Sequence, residues 1–378
     1  MTRTRHRVGL LGGSGAVGRQ VAARLRARGV EDVLIGGRDL AAAEAVVAGV
    51  LGGTGRAGVV DVRNPASLRD FCADATVVVN CAGPSRVIGD VVAAAAVRAG
   101  AHYVDVGGDD PLHEVMTGPG APPCPVAAVL SAGMIPGLTG LLPRHLAGSG
   151  FTGVDRLTVH HGVRDRIGWS GAYDLVAGII EGRDESLAGW RSGAARSGVA
   201  RRAVNRALPG FTEPVTVHPY LSPEARRTAQ RLGLRDGDWH TVLFDGRVST
   251  VLGGLPALTE ADLAPTAERL HRAADFDVLG RTPQVGVLCQ LDGTGPGGPL
   301  TRSLVLRATG AAELVAAAAA ATLDEVLDGT VPAGVHFAAE VLDPDRATAT
   351  LAEDPGVVQL SVHDVPLDHL VPLDEGAI

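Results

Sequence analysis

Short apolar runs, separated by alanine-rich stretches of helical spacing, organise the first 133 residues. The runs Val8–Leu11, Asp32–Gly36, Gly58–Val62, Thr76–Asn80, His102–Val106 and Pro125–Leu130 predict strands. Between them the spacing predicts helices over Ala16–Arg28, Leu40–Leu51, Pro65–Cys72 and Ile88–Ala99, and a short one at Pro111–Met116. Thr76 to Val79 form a continuous apolar run rather than an alternating one, which predicts burial on both faces and so a parallel sheet. Strand and helix in alternation are the order of an α/β domain.

Near Met134 the pattern changes. Pro136 and Gly137 open a helix to about Leu146, and Val154–Val163 alternates as a half-buried strand does. Helices are expected at Gly171–Glu181, Ser186–Ser192 and Pro223–Leu232, with a Pro- and Gly-rich loop from Leu208 to Pro223. Pro283–Leu291 and Thr301–Thr309, joined by Asp292–Leu300, predict an antiparallel hairpin. The expected fold class is α/β: a doubly wound parallel sheet over 1–133, followed by an α+β domain on a mixed or antiparallel sheet over 134–330. The helix Ala311–Leu327 and Val331–Pro344 come last and are expected to pack back onto the first domain, with 331–378 as the returning C-terminal segment.

The link between the first strand and the first helix is Gly12, Gly13, Ser14, Gly15, Ala16, Val17 and Gly18. Gly13, Gly15 and Gly18 give GxGxxG, while Gly12, Gly15 and Gly18 give GxxGxxG. Such glycines allow a tight turn, close approach of backbone to a pyrophosphate, and close packing of helix on strand, with the helix N-terminus facing the phosphates. A chain with 51 glycines produces these spacings by chance, so the flanking strand, helix and second strand decide for a dinucleotide site. At the end of that second strand an NAD site places Asp or Glu on the ribose 2′-hydroxyl, whereas this chain has Gly36, Gly37 and Arg38. A guanidinium there forks onto a 2′-phosphate, and the expected cofactor is NADP(H). The competing reading makes Arg38 a solvent-facing turn residue beside Asp39, the N-cap of the next helix.

Composition removes several chemistries. With 378 residues, 46% of them hydrophobic, the chain can bury two cores. Its net charge of −8 argues against broad nucleic-acid or membrane binding, and the clusters Arg201, Arg202, Arg206 and Arg226, Arg227, Arg231 read as solvated helix faces. All 34 Lys+Arg residues are arginine, so there is no lysine Schiff base, no Walker A lysine and no Tyr–Lys dehydrogenase pair. Cys72, Cys81, Cys124 and Cys289 form no CxxC, which predicts thiols in a reducing cytoplasm. His160, His161, His363 and His369 match no zinc spacing, and no metal is expected. The basic opening Thr2–Arg7 followed by Val8–Leu11 has the order of a signal peptide, but Gly12–Gly18 interrupts it and the first-strand reading prevails. Leu314–Leu323, bounded by Glu313 and Asp324, is only about half a membrane span.

Val77–Pro84 (VVVNCAGP) and Gly100–Asp109 (GAHYVDVGGD), supported by Ser131–Gly137 and Val331–Gly334, resemble the saccharopine dehydrogenase-like family. The likeness is close over about the first 140 residues, loose over about the last fifty, and one of general layout between. It implies a nicotinamide-dependent oxidoreductase, often acting on amino acids or their imines, with a Rossmann domain, an α+β domain of mixed sheet and often a homodimer. Carried onto this sequence, it implies Gly12–Gly18 as phosphate loop, Arg38 at the 2′-phosphate, Asp61 and Val62 beside the adenine, and Asn80, Cys81, Ala82, Gly83 and Pro84 near the nicotinamide ribose. Independently, ligands of open α/β sheets sit outside the carboxyl ends of strands, where Asn80–Pro84 and Asp105–Asp109 fall. Cys81 also reads simply as a small apolar residue, and His102 as a structural histidine.

Hydride transfer needs the protein to hold a nicotinamide against an electrophilic carbon in a dry site. An iminium brings its own charge, which suits a chain without lysine. In the second domain Tyr173 and His161 are the candidate proton donors, Arg164 and Arg166 the candidate carboxylate forks, and Trp169 a substrate-lining group; Asp109 of the first domain could hold an amine. Each has a structural alternative: one of His160 and His161 could face solvent, Tyr173 could be core, and Asp109 could cap a helix. The expected activity is NADPH-dependent reduction of a C=N bond in an amino-acid-derived or specialised metabolite. The alternatives are a C=C or C=O reductase with a larger apolar or carrier-bound substrate, and a non-catalytic NADP-sensing protein.

Overall fold

A computed structural model describes residues 6–253 and 258–371. Residues 2–5 of the basic opening and 372–378 of the C-terminal segment lie outside them. The chain divides into two compact units, one of Met1–Gly137 with Ala312–Asp343 and one of Leu138–Ala311 with Pro344–Ile378.

The first unit holds β1 (Val8–Leu11), β2 (Val33–Gly37), β3 (Arg56–Val59), β4 (Val77–Asn80), β5 (His102–Asp105) and β6 (Ala127–Leu130). The second holds β7 (Gly153–Arg164), β8 (Glu185–Ser186), β9 (Gly189–Arg191), β10 (Ala194–Arg196), β11 (Ala203–Arg206), β12 (Val215–Leu221), β13 (Asp236–Leu243), β14 (Gln284–Gly295) and β15 (Gly298–Ala308). The chain then adds β16 (Gly334–Phe337) to the first sheet and β17 (Val357–His363) to the second.

The first sheet runs β16-β6-β5-β4-β1-β2-β3, with every pair parallel. Val8, Leu10 and Val77 to Val79 are fully buried, as their unbroken apolar runs predict for strands covered on both faces. Strand order reverses at β1, which lies between β2 and β4, so the crevice at its carboxyl end opens where the glycine loop begins. At the opposite end, Arg7 and Arg56 pair with Asp32 and Asp74 and tie the starts of β1 to β3 together.

The return to this unit runs from Ala312 to Asp343, the helix and the segment that the sequence expects to pack back, rather than from 331 to the end. The helix Ala311–Leu327 buries an alanine-rich face, and its charged rim bonds the first helix: Gln20 Nε2 donates to Glu313 Oε1 at 3.2 Å and Arg28 Nε to Asp324 Oδ1 at 3.1 Å. Residues from Pro344 onward belong to the second unit, because β17 pairs with β15.

The second sheet runs β10-β9-β13-β7-β14-β15-β17, with β12 beside β13 and both β8 and β11 on β12. It is mixed, since β7 and β13 are parallel while β7–β14 and β14–β15 are antiparallel. The helix expected at Ser186–Ser192 is instead β8 and β9. Leu187 and Ser192 take left-handed backbone (φ 57 and 50), which no helix tolerates, and Trp190 is buried with its Nε1 donating to Leu234 O at 2.9 Å. The stretch read as a loop from Leu208 contains β12, where Val215 and Val217 point into a cluster with Phe211, Phe244 and Leu288.

Candidate functional site

The glycine loop is shaped by contacts that leave no room for a side chain at Gly12, Gly13 or Gly18. A Cβ at Gly12, whose φ is +73, would lie 2.7 Å from Ala82 N, and one at Gly18 would lie 2.3 Å from Gly12 O. Gly13 packs on Ile35, where a Cβ would meet Cγ2 at 2.9 Å. The first helix, Ala16–Ala27, therefore starts directly against the loop. It has no side-chain cap and no acidic residue in its first turn, so its N-terminal amides and dipole are left for an anion.

Arg38 follows the last residue of β2 and is exposed. Asp39 accepts from Ala42 N at 3.1 Å and caps the next helix, so the cap and the free guanidinium coexist. Asp61 and Val62 lie just past β3, which ends at Val59 rather than at Val62. The Asp61 carboxyl is held below its usual range by hydrogen bonds from Arg63, with Arg38 adding to the effect.

At the carboxyl ends of β4 and β5 the loops are fixed by a buried polar network. Tyr103 and Asp105, two apart on β5, share one face, and both reach Asn80 at the end of β4. Asn80 Nδ2 donates to Asp105 Oδ2 at 3.0 Å, and the Tyr103 hydroxyl donates to the same oxygen. Asp105 Oδ1 accepts from Gly107 N at 2.9 Å and Gly108 N at 2.7 Å, and Asn80 Oδ1 accepts from Ala82 N at 3.1 Å. Burial, then the neighbouring Asp105 charge, raises the Tyr103 hydroxyl well above its usual value, so it stays a donor. Asn80 thus turns its side chain inward and shapes the loop. Beyond it Cys81 and Ala82 are half-buried, Gly83 is exposed and Pro84 is buried, and burial raises the Cys81 thiol so that it stays protonated. His102 Nδ1 accepts from Ala127 N at 3.1 Å, a structural role.

Asp109 leaves the helix after it uncapped by its side chain; its carboxylate receives a two-pronged fork from Arg86 at 2.7 and 3.1 Å. The sequence gives no sign of this partner, because the pair joins the short helix Ser85–Ile88 to the residue before the helix Asp110–Thr117, 23 residues apart.

In the second unit β7 lies between β13 and β14, and both of its histidines are buried. Neither faces solvent, since the sheet is covered on both faces at this stretch of β7, where Val159 to Gly162 are all buried. His160 stacks on His240 at 4.6 Å; His161 meets the Tyr220 ring edge-on at 5.3 Å and sits 3.3 Å from Thr241 Oγ1. Burial, reinforced by the charge of His240, lowers His161 to about 3 and His160 well below its usual value. Both are therefore neutral at neutral pH. Their unfolded forms bind protons near pH 6.5 and their folded forms do not, so this contribution to stability is complete above that pH and is lost as pH falls towards 3. Each such histidine should weaken the fold by about 1.4 kcal/mol per pH unit in that window, and His161→Gln should flatten the slope of urea-derived stability between pH 6 and 4, values set by the same reference range.

Strand alternation puts His161 and Arg164 on opposite faces of the sheet, so they cannot meet on one substrate. Arg164 pairs with Glu213 and lies 5.0 Å over the Phe244 ring. Arg166 is exposed in the loop after β7. Trp169 and Tyr173 follow on the helix Trp169–Glu181, one turn apart with rings 5.2 Å from each other; Trp169 is exposed and Tyr173 half-buried. Among the described residues no group of three or more His, Cys, Asp or Glu side chains could hold a metal, and no helix is long and apolar enough to cross a membrane.

The family model for the saccharopine dehydrogenase NADP binding domain matches residues 8–117, the stretch that contains the glycine loop, Arg38 and the Asn80–Asp105 network. The match covers β1 to β5 of the first unit and stops short of the rest of the chain. The matched domain indicates NADP(H) as the cofactor, and the residues present fit it: Gly12, Gly13 and Gly18 are closed to side chains, and the exposed Arg38 follows β2, where a 2′-phosphate would need a cation. Saccharopine dehydrogenase-like oxidoreductases of Homo sapiens and Bos taurus are 41% and 40% identical to this chain over 58 residues. Those residues are 15% of the chain and 14% of either relative. Histidine-tagged apo saccharopine dehydrogenase (L-Glu forming) from Saccharomyces cerevisiae shares the fold, with a TM-score of 0.69 at 17% identity over 96% of this chain and all of that one.

Proposed function

We propose that the protein is an NADPH-dependent oxidoreductase that reduces a C=N bond of an amino-acid-derived or specialised metabolite. The observation that carries this reading is the glycine loop, closed to a Cβ at Gly12, Gly13 and Gly18, with Arg38 exposed after β2, in a stretch that matches an NADP-binding domain. NADPH supplies the hydride when bound. What the chain's own residues offer favours an iminium as acceptor. There is no lysine anywhere in the sequence, and both histidines of β7 are neutral, so neither supplies an imidazolium. A substrate that brings its own positive charge needs neither. The name of the yeast fold relative, an L-Glu-forming saccharopine dehydrogenase, favours an amino-acid-type substrate.

Within this reading Arg166 is the preferred fork for a substrate carboxylate, since Arg164 already holds Glu213. Trp169 lines the substrate and Tyr173 orients it or donates its hydroxyl proton; Asp109, with both oxygens forked by Arg86, is held as Arg164 is and takes no amine. The role left to His161 is that of a neutral hydrogen-bonding group. We place the enzyme in the cytoplasm as a homodimer, a placement supported by its free cysteines and by the resemblance of its sequence.

Mixtures of amines and 2-keto acids should cause loss of NADPH absorbance only when both partners are present. Consumption with a ketone or an enone, and none with imines, would move the reading to C=O or C=C reduction. Arg38→Ala should weaken NADPH binding by roughly tenfold to a hundredfold and leave NADH binding unchanged, as expected for a lost charge-assisted fork.

A further inference from the structure

The end of β3 adds a second arginine to the adenosine side of the cofactor site. β2 and β3 pair in register, Gly37 with Val59, and Val60 N donates to Gly37 O at 2.8 Å. Arg38 therefore leaves β2 beside the point where Asp61 leaves β3. Arg63 forks onto Asp61, Nε to Oδ1 at 3.1 Å and Nη2 to Oδ2 at 3.0 Å, and its backbone N donates to Oδ1 at 3.0 Å. Asn64 then caps the helix Pro65–Ala73 by accepting from Ala66 N and Ser67 N, which fixes the backbone on the other side of Arg63. The Arg63 side chain nonetheless remains 77% exposed, with its remaining N–H groups directed away from Asp61.

The charges decide what this arrangement favours. A bare carboxylate at Asp61 would draw on the charge of Arg38 and repel a 2′-phosphate held there. Arg63 cancels that charge, and Arg38 is left as net positive charge for the phosphate. We infer that Arg63 is a specificity-determining residue: by neutralising Asp61 and adding a second guanidinium to Arg38, it sets the site for a nucleotide bearing a 2′-phosphate. This assignment rests on the NADP reading of the domain.

Calorimetric titration of NADPH and NADH into wild type, Arg63→Ala, Asp61→Asn and the double variant tests it. Arg63→Ala should lose about tenfold in NADPH affinity while NADH binding stays within about twofold. Adding Asp61→Asn to Arg63→Ala should restore most of that loss, because the carboxylate that Arg63 masks is gone. An Arg63→Ala protein that binds NADPH like the wild type, or that loses both nucleotides equally, overturns the assignment. So does a double variant as weak as Arg63→Ala alone. A wild-type protein that prefers NADH or binds neither nucleotide removes the NADP reading, and this assignment with it.

Discussion

Gly18→Ala should abolish measurable NADPH binding and lower stability by about 3 kcal/mol, at the upper end of what overpacking costs. The added Cβ would stand 2.3 Å from Gly12 O and 2.6 Å from Gly13 Cα, and both are backbone atoms that no rotamer change can move aside. The helix Ala16–Ala27 would be pushed from the loop, and its N-terminal amides would leave the pyrophosphate position. Gly49→Ala is the control. It lies at the end of the helix Leu40–Gly49 with open space around it, and should be neutral or stabilising by some tenths of a kcal/mol. Urea denaturation and calorimetry of the two variants separate the outcomes; a Gly18→Ala protein that binds NADPH normally contradicts the geometry given to the loop.

Asp105→Asn should cost about 3 kcal/mol of stability although it changes a single atom. Both oxygens of the carboxylate accept: one from Gly107 N and Gly108 N, the other from Asn80 Nδ2 and the Tyr103 hydroxyl. An amide has one oxygen, so its NH2 must face one of these pairs of donors and leave buried N–H groups unpaired. The loops Asn80–Pro84 and Asp105–Asp109 would loosen together, and NADPH affinity should fall with stability. Tyr103→Phe removes one donor and leaves the carboxylate three others, so it should cost only about 1 kcal/mol. Equal losses for the two variants in denaturation would show that the carboxylate does not organise the network.

The cofactor half was legible because its signals are local. The glycine spacing, the arginine after β2 and the apolar strands lie within one strand–helix–strand unit, and each constrains backbone that is close in sequence. The network at Asn80, Tyr103 and Asp105 was half legible. Polar residues alternating on a buried strand signal a shared face, but the partner across the sheet depends on which strands are neighbours. In the second unit the signals failed for physical reasons. Alternation along β7 suggests one wet face, yet a mixed sheet covered on both sides buries His160 and His161 alike. The segment around Trp190 has helical composition, but left-handed residues and strand pairing override it. Arg164 looks like a ligand fork until Glu213, 49 residues away, claims it.

The glycine loop and Arg38 suit this chain to NADP. Calorimetric titration of the purified protein with NADPH and then NADH decides whether it binds that way. Micromolar NADPH binding, with NADH weaker by about tenfold or more, is the predicted result. Equal affinities, tighter NADH binding, or no heat from either nucleotide would contradict it.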